Sequence, residues 1–193
     1  MTSTVAKSKK KIIMEAAARL FRDKGYSASS MRDLAKAVNL KASSLYNHIQ
    51  SKEALLQEIC FNNAHRFLQG MNEVEKMEAS HLEKIKALIR LHIEIAATDI
   101  TSITAFNDEW RHLKDPHLTR FLRLRKSYEQ RFLVLIKIGI EKGEIKDMDP
   151  QLILFTLFSS VRWLYDWHRK DRETELSSLE KQITELLLGG IKA

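Results

Sequence analysis

Cysteine is nearly missing: Cys60 stands alone among 193 residues. No internal disulfide can form, and no cysteine-rich zinc site can be built. Proline (2) and glycine (6) are almost as scarce, so turns are few and the chain leans towards helices. Apolar runs are a handful of residues long, far below the roughly 18–20 that span a bilayer. The opening MTSTVAKSKKKIIMEAAARLF is basic and then amphipathic. It has no continuous apolar segment and no small-residue cleavage site, so it does not read as a secretory signal. No Gly-rich phosphate loop and no Ser/His/Asp order stands out. What is present is 44% hydrophobic and 30% charged, enough for a packed core. The expectation is an all-α, soluble, cytoplasmic protein with one domain or two small ones.

Charge is unevenly placed. Residues 1–52 hold 11 Lys or Arg against 3 acids, giving +8, while residues 53–193 hold 21 against 22, giving −1. The whole excess belongs to the first quarter, the asymmetry of a polyanion-binding module joined to a near-neutral body. Lys7, Lys9, Lys10 and Lys11 alone would fit a solvated tail. A membrane-surface helix is disfavoured because the basic residues extend well beyond one amphipathic segment.

Helical spacing organises that first quarter. Ile12, Ile13, Ala16, Ala17, Leu20 and Phe21 make one apolar face from about Lys9 to Lys24, and Gly25 is a plausible stop. Ser30 is placed to cap a short helix through Met31, Leu34, Ala35 and Val38, with Asp33 completing an imperfect capping box. Asn39 tolerates a left-handed turn. Leu40 then leads into a second short helix, Ala42 to Ile49, and Ser51 caps a long one. Two short helices around a three- or four-residue turn are the layout of a helix-turn-helix, whose second helix enters the major groove. The motif and the basic charge coincide.

Residues 9–60 resemble the DNA-binding domain of the TetR family of bacterial repressors. The matching stretches are Ile12 to Phe21, Lys24-Gly25-Tyr26, Ser30 to Ala35, Leu45-Tyr46-Asn47-His48-Ile49 and Ser51-Lys52-Glu53-Ala54-Leu55-Leu56. The chain departs from the pattern at Asn39, where the family usually has Gly, at Lys41, where it has Ser or Thr, and at Ser43, often Gly. Lys41 offers no side-chain cap, so Ser43 or Ser44 is placed to shift the helix start. The resemblance implies a nine-helix fold: a DNA-binding domain over 1–52 and an effector-binding and dimerisation domain over 53–193, entered by the fourth helix. It implies a homodimer on a palindromic operator, with Ser43, Ser44, Tyr46 and Asn47 facing bases or backbone. Tyr46, His48 and Lys52 match positions that commonly touch phosphates, and Ser30, Arg32 and Lys41 complete the expected DNA-contacting set. No cofactor and no metal are expected.

Beyond residue 76 the resemblance weakens but periodic segments continue. They run from Leu82 to Ala97, from Ile100 to Leu113, from Pro116 to about Gly143, from Pro150 onward, and from Thr174 to Leu188, where Gly189 and Gly190 are read as a stop. The last two are apolar on more than one face, and the resemblance implies that they build a four-helix dimer interface. Aromatic and cationic residues gather at Trp110-Arg111, Arg123 to Tyr128 and Arg162 to Arg169. This resembles the TetR subgroup that responds to fatty-acyl-coenzyme A. Trp110, Arg111, Arg125, Tyr128, Trp163 and Trp167 are the candidate effector residues, since an acyl chain needs apolar walls and its phosphates need Arg. The residues also leave open a helical-bundle metal enzyme or ligand carrier with an incidental basic end. Glu78-x-x-His81 and Glu109-x-x-His112 have the spacing of di-iron carboxylate bundles.

Overall fold

A computed structural model describes residues 8–164 and 175–192. Among them are nine α-helices: α1 Lys9–Lys24, α2 Met31–Ala37, α3 Ala42–Tyr46, α4 Lys52–Glu75, α5 His81–Thr98, α6 Ile100–Glu109, α7 His117–Glu141, α8 Pro150–Arg162 and α9 Leu176–Ile191. A 3-10 turn, Trp110–His112, follows α6. The all-α expectation holds. Packing divides the chain into two compact units, Met1–Asn63 with Thr101–Phe121, and Ala64–Ile100 with Leu122–Ala193. This division by packing differs from the boundary expected at residue 52, because the first half of α4 and α6 from Thr101 onward pack with α1, α2 and α3.

In the first unit each short helix is fixed by its ends. Ser8 caps α1 by accepting from Lys11 N at 3.3 Å. Ile13, Ala16, Ala17 and Phe21 are buried along its inner face, while Ile12 is turned outward. Gly25 ends the helix at φ +80°, where a side chain would be strained. The Ser30–Asp33 capping box is complete: Asp33 N donates to Ser30 Oγ at 3.1 Å and Ser30 N donates to Asp33 Oδ2 at 3.0 Å. Asn39 takes φ +53° as its residue type allows. The start of α3 does not shift; Ala42 follows Lys41, and no side chain caps it. The helix stops at Tyr46, three residues short of the expected Ile49. Ile49 is nonetheless buried, and its N–H donates to Leu45 O at 3.1 Å. Elsewhere in this unit Asn63 is buried and donates to Ser102 Oγ at 2.6 Å, tying α4 to α6.

The second unit joins α5, α8 and α9 with the later parts of α4 and α7. Gly70 lets α4 approach α5, since a Cβ there would lie 2.3 Å from Leu91 Cδ2. The Glu144 carboxylate satisfies the first turn of α5, accepting from His81 N at 2.5 Å and Leu82 N at 3.1 Å. Arg131 clamps α7 to α4 through Glu75 and Asn72. One expectation fails here: Gly189 and Gly190 do not stop the last helix, which runs on to Ile191. Its final turn is held from outside, by Lys146 N donating to Ile191 O at 2.9 Å and Lys146 Nζ to Gly190 O at 3.1 Å. Leu152 and Phe155 on α8 and Leu186 on α9 are large apolar side chains left exposed.

Candidate nucleic-acid interface

The outward face of α3 is built by subtraction. Leu45 is fully buried and Ile49 nearly so, which fixes the helix's rotation. Lys41, Ser43, Tyr46, Asn47 and His48 are then left exposed and Ser44 half-buried. Tyr46, with 54% of its surface accessible, is unusual for an aromatic residue in this unit. Short hydroxyl, amide and phenol groups beside a lysine suit base edges and phosphates respectively. Arg32 and Lys36 are exposed on α2. Ser30 is differently placed: its hydroxyl donates to Asp33 Oδ2 at 2.7 Å while accepting the cap bond. Asp33 is itself held below the usual carboxylate range by the Ser30 and Lys24 hydrogen bonds.

Lys52 shows a role with no signal in its local sequence. Its ammonium donates to Tyr26 O and Ser29 O, both at 2.8 Å, and lies 4.1 Å from the centroid of the Tyr26 ring. Tyr26 is buried edge-on to Phe21 at 5.2 Å and stacked on His112 at 5.1 Å. Burial, and then Glu53, raise its phenol above its ordinary range, so it stays neutral. Lys52, Tyr26 and the Ser29 hydroxyl, which donates to Gly25 O at 2.6 Å, staple the loop that delivers Ser30 to α2. Two of the three ammonium protons of Lys52 are thereby used inside the unit.

The candidate effector residues fall into both units. Trp110 and Arg111 belong to the first, with the Arg111 guanidinium 4.8 Å from the Trp110 ring. Arg125, Tyr128 and Trp163 belong to the second. Arg125 is half-buried and 3.8 Å from Glu129. Tyr128 is buried, and its hydroxyl lies 3.1 Å from His92 Nε2. Trp163 is exposed at the end of α8. Trp167 lies outside the described residues. His92, which has no signal in its local sequence, lies against Tyr128 with ring centroids 5.8 Å apart.

The two Glu-x-x-His stretches serve structure. His81 Nδ1 lies 3.6 Å from Glu144, and His112 Nε2 lies 3.3 Å from Glu109 while its ring stacks on Tyr26. Among the described residues no three His, Cys, Asp or Glu side chains converge as a metal site. Burial pushes the Cys60 thiol up to about 12, which keeps it protonated. No helix among the described residues is long and apolar enough to cross a membrane.

Comparison with known proteins settles the family. Residues 13–59 match "Bacterial regulatory proteins, tetR family", and residues 78–191 match "Tetracyclin repressor-like, C-terminal domain". The chain belongs to the TetR family. It is 25% identical to the fatty acid metabolism regulator protein of Bacillus subtilis, covering 93% of each chain. Its fold is similar to that of the ketosteroid transcriptional regulator KstR2 of Mycobacterium tuberculosis, at TM-score 0.90 and 22% identity over all of both chains. It is also similar to AibR, solved in complex with isovaleryl coenzyme A and operator DNA, at TM-score 0.79 and 24% identity over 93% of this chain and 97% of that one. TetR-family membership makes α2 and α3 the helix-turn-helix of a DNA-binding transcriptional regulator.

Proposed function

We propose that this TetR-family chain is a homodimeric repressor that reads a palindromic operator with α3 and releases it when an acyl-coenzyme A occupies the second unit. The observation that carries the DNA half is the polar outward face of α3, set by buried Leu45 and Ile49 within the +8 quarter of the chain. Ser43, Ser44 and Asn47 read bases; Tyr46, His48, Lys41 and Arg32 meet backbone phosphates. Lys52 and Ser30 act mainly by holding α2 in place. One recognition helix reads one half-site, so a palindrome needs two copies. The exposed Leu152, Phe155 and Leu186 of α8 and α9 favour those helices as the seam between copies.

The effector half rests on chemistry and on the relatives. AibR is described with isovaleryl coenzyme A, and the B. subtilis relative is named for fatty acid metabolism. In this chain Tyr128 and its aromatic neighbours supply apolar walls, and Arg125 supplies a cation beside them. Trp163, with Trp167 outside the described residues, completes the proposed set, whereas Trp110 and Arg111 belong to the first unit and are left out of it. Release requires the ligand to bind more tightly to the dimer spacing that does not fit DNA; by linkage, DNA then weakens ligand binding by the same factor. Because half-sites lie about 34 Å apart, a few ångström of movement spoils simultaneous docking.

Fluorescence anisotropy with DNA from upstream of the chain's own coding region tests this. The wild type binds and is displaced by an acyl-coenzyme A but not by free coenzyme A. Lys41→Ala lowers affinity on all sequences alike, and reduces the slope of log K against log salt by about 1.8, the value of two phosphate contacts, one from each copy. A salt slope unchanged by Lys41→Ala contradicts its placement, and operator binding unchanged at saturating acyl-coenzyme A contradicts the effector assignment.

A further inference from the structure

The 3-10 turn Trp110–His112 and the residues beside it touch the DNA-reading module at three points, all within the first unit. The Glu109 carboxylate lies at the end of α1, 3.6 Å from where a Cβ on Gly25 would stand. The His112 ring stacks on the Tyr26 ring at 5.1 Å, with 24° between their planes. Lys114 pairs with Glu53 at the head of α4. That ion pair is exposed on both sides, so water and salt leave it little strength. The stack is different. Tyr26 keeps only 8% of its surface accessible, whereas the His112 side chain keeps 42%. An imidazole at the surface thus covers a ring that is otherwise enclosed. The Glu109 carboxylate, 3.3 Å from His112 Nε2, faces the edge of that imidazole and holds its orientation.

What Tyr26 carries makes the cover matter. Its carbonyl and that of Ser29 receive the Lys52 ammonium, which also lies over the Tyr26 ring. Ser29 N donates to Tyr26 O at 3.1 Å, and Ser30 follows directly as the cap of α2. One ring therefore fixes the loop 25–30 from which α2, and after it α3, are presented. We infer that His112 is a positioning residue for DNA binding: stacked on Tyr26, it holds this loop and α2 in the arrangement that fits the duplex, without touching DNA itself. The inference uses only the DNA-binding role of α2 and α3 and is independent of the effector. A protein whose binding-competent arrangement is only partly populated binds more weakly by that fraction. An aromatic stack shifts such a population by roughly threefold to tenfold. Without it the loop leaves its place in the unbound protein, and binding must restore the order. The loss is the same on every sequence, because no base or phosphate contact is removed. This separates His112 from Lys41, whose removal takes away one phosphate contact from each copy.

Fluorescence anisotropy with a duplex selected from random DNA for wild-type binding compares the wild type, His112→Ala and His112→Phe, with Lys41→Ala alongside. Stoichiometric titration first counts the binding-competent molecules, so that a poorly folded fraction is not read as weak affinity. His112→Ala is expected to raise Kd about threefold to tenfold, the ratio set by the stack, with an unchanged slope of log K against log salt. His112→Phe, which keeps a ring to stack, stays within about twofold of the wild type. In the unbound protein, amide exchange at Ser29, Ser30 and Asp33 quickens in His112→Ala and not in His112→Phe. Exchange at Ile89 of α5 is unchanged in both. Wild-type affinity in His112→Ala, or equal weakening in the two variants, overturns the inference. So does a salt slope lowered as in Lys41→Ala, which would make His112 a phosphate contact. If the wild type selects no duplex, the DNA reading falls and the inference falls with it.

Discussion

At the residue scale, chemistry here is decided by what surrounds each group more than by its type. Two lysines show this: Lys41 is exposed beside α3, whereas Lys52 is turned onto the carbonyls of Tyr26 and Ser29. Both looked alike in the sequence, as basic residues at either end of a recognition helix. Their difference comes from Tyr26, twenty-six positions before Lys52, and no local pattern announces a contact of that separation. His92 was missed for the same reason, since its neighbours come from α4, α7 and α8. Its environment gives a pH signature. Burial lowers its pKa from 6.5 to about 4, so between those values the unfolded chain binds the proton that the folded chain refuses. Its contribution to stability is thus fully present above pH 6.5 and is lost as pH falls towards 4, with a slope of up to about 1.4 kcal/mol per pH unit. Denaturant titrations at pH 7 and pH 5 should show the wild type losing more stability on acidification than His92→Phe. Equal losses would mean that His92 is protonated inside the fold.

At the element scale, the sequence was most legible where an end is marked by its own side chain. The Ser30–Asp33 box, the left-handed Asn39 and the Ser51 cap, which accepts from Ala54 N at 3.0 Å, were all readable. Ends set by tertiary contacts were not. The last helix passes Gly189 and Gly190 because Lys146 and the Ile145–Lys192 bridge hold its final turn. Those glycines pay the usual entropic penalty with no steric reason, since a Cβ at either position meets nothing within 4 Å. Gly189→Ala and Gly190→Ala should each stabilise the protein by about 0.5–1 kcal/mol, raising Tm by about 1–4 °C. Gly70→Ala should do the opposite, because its methyl group meets Leu91 at 2.3 Å. Thermal scans of the three variants check this; a lowered Tm for both C-terminal variants would mean that the last turn is not helical in solution. The recognition helix is the converse case. With no side-chain cap at Lys41 it is five residues long, and buried Leu45 and Ile49 hold it in place.

At the scale of the whole molecule, charge arithmetic and helix-turn-helix spacing pointed to the same quarter of the chain, and family membership agrees with both. The division of labour is less simple than a cut at residue 52. Residues 101–121 pack in the first unit, with His112 stacked on Tyr26 and Lys114 paired with Glu53 at 2.6 Å. A segment read from sequence as part of the effector body thus braces the DNA-reading module, and only long-range packing reveals it. In the proposed function, two copies of α3 read two half-sites through the short polar residues of the helix's outward face. Selection of bound sequences from random duplex DNA, run side by side with the wild type and Asn47→Ala, tests it most directly. The expected result is a palindromic consensus with half-site centres about 10–10.5 base pairs apart or a multiple of that, and in the variant a changed preference at one symmetric pair of positions. A consensus without two-fold symmetry, or one identical for the two proteins, would contradict it.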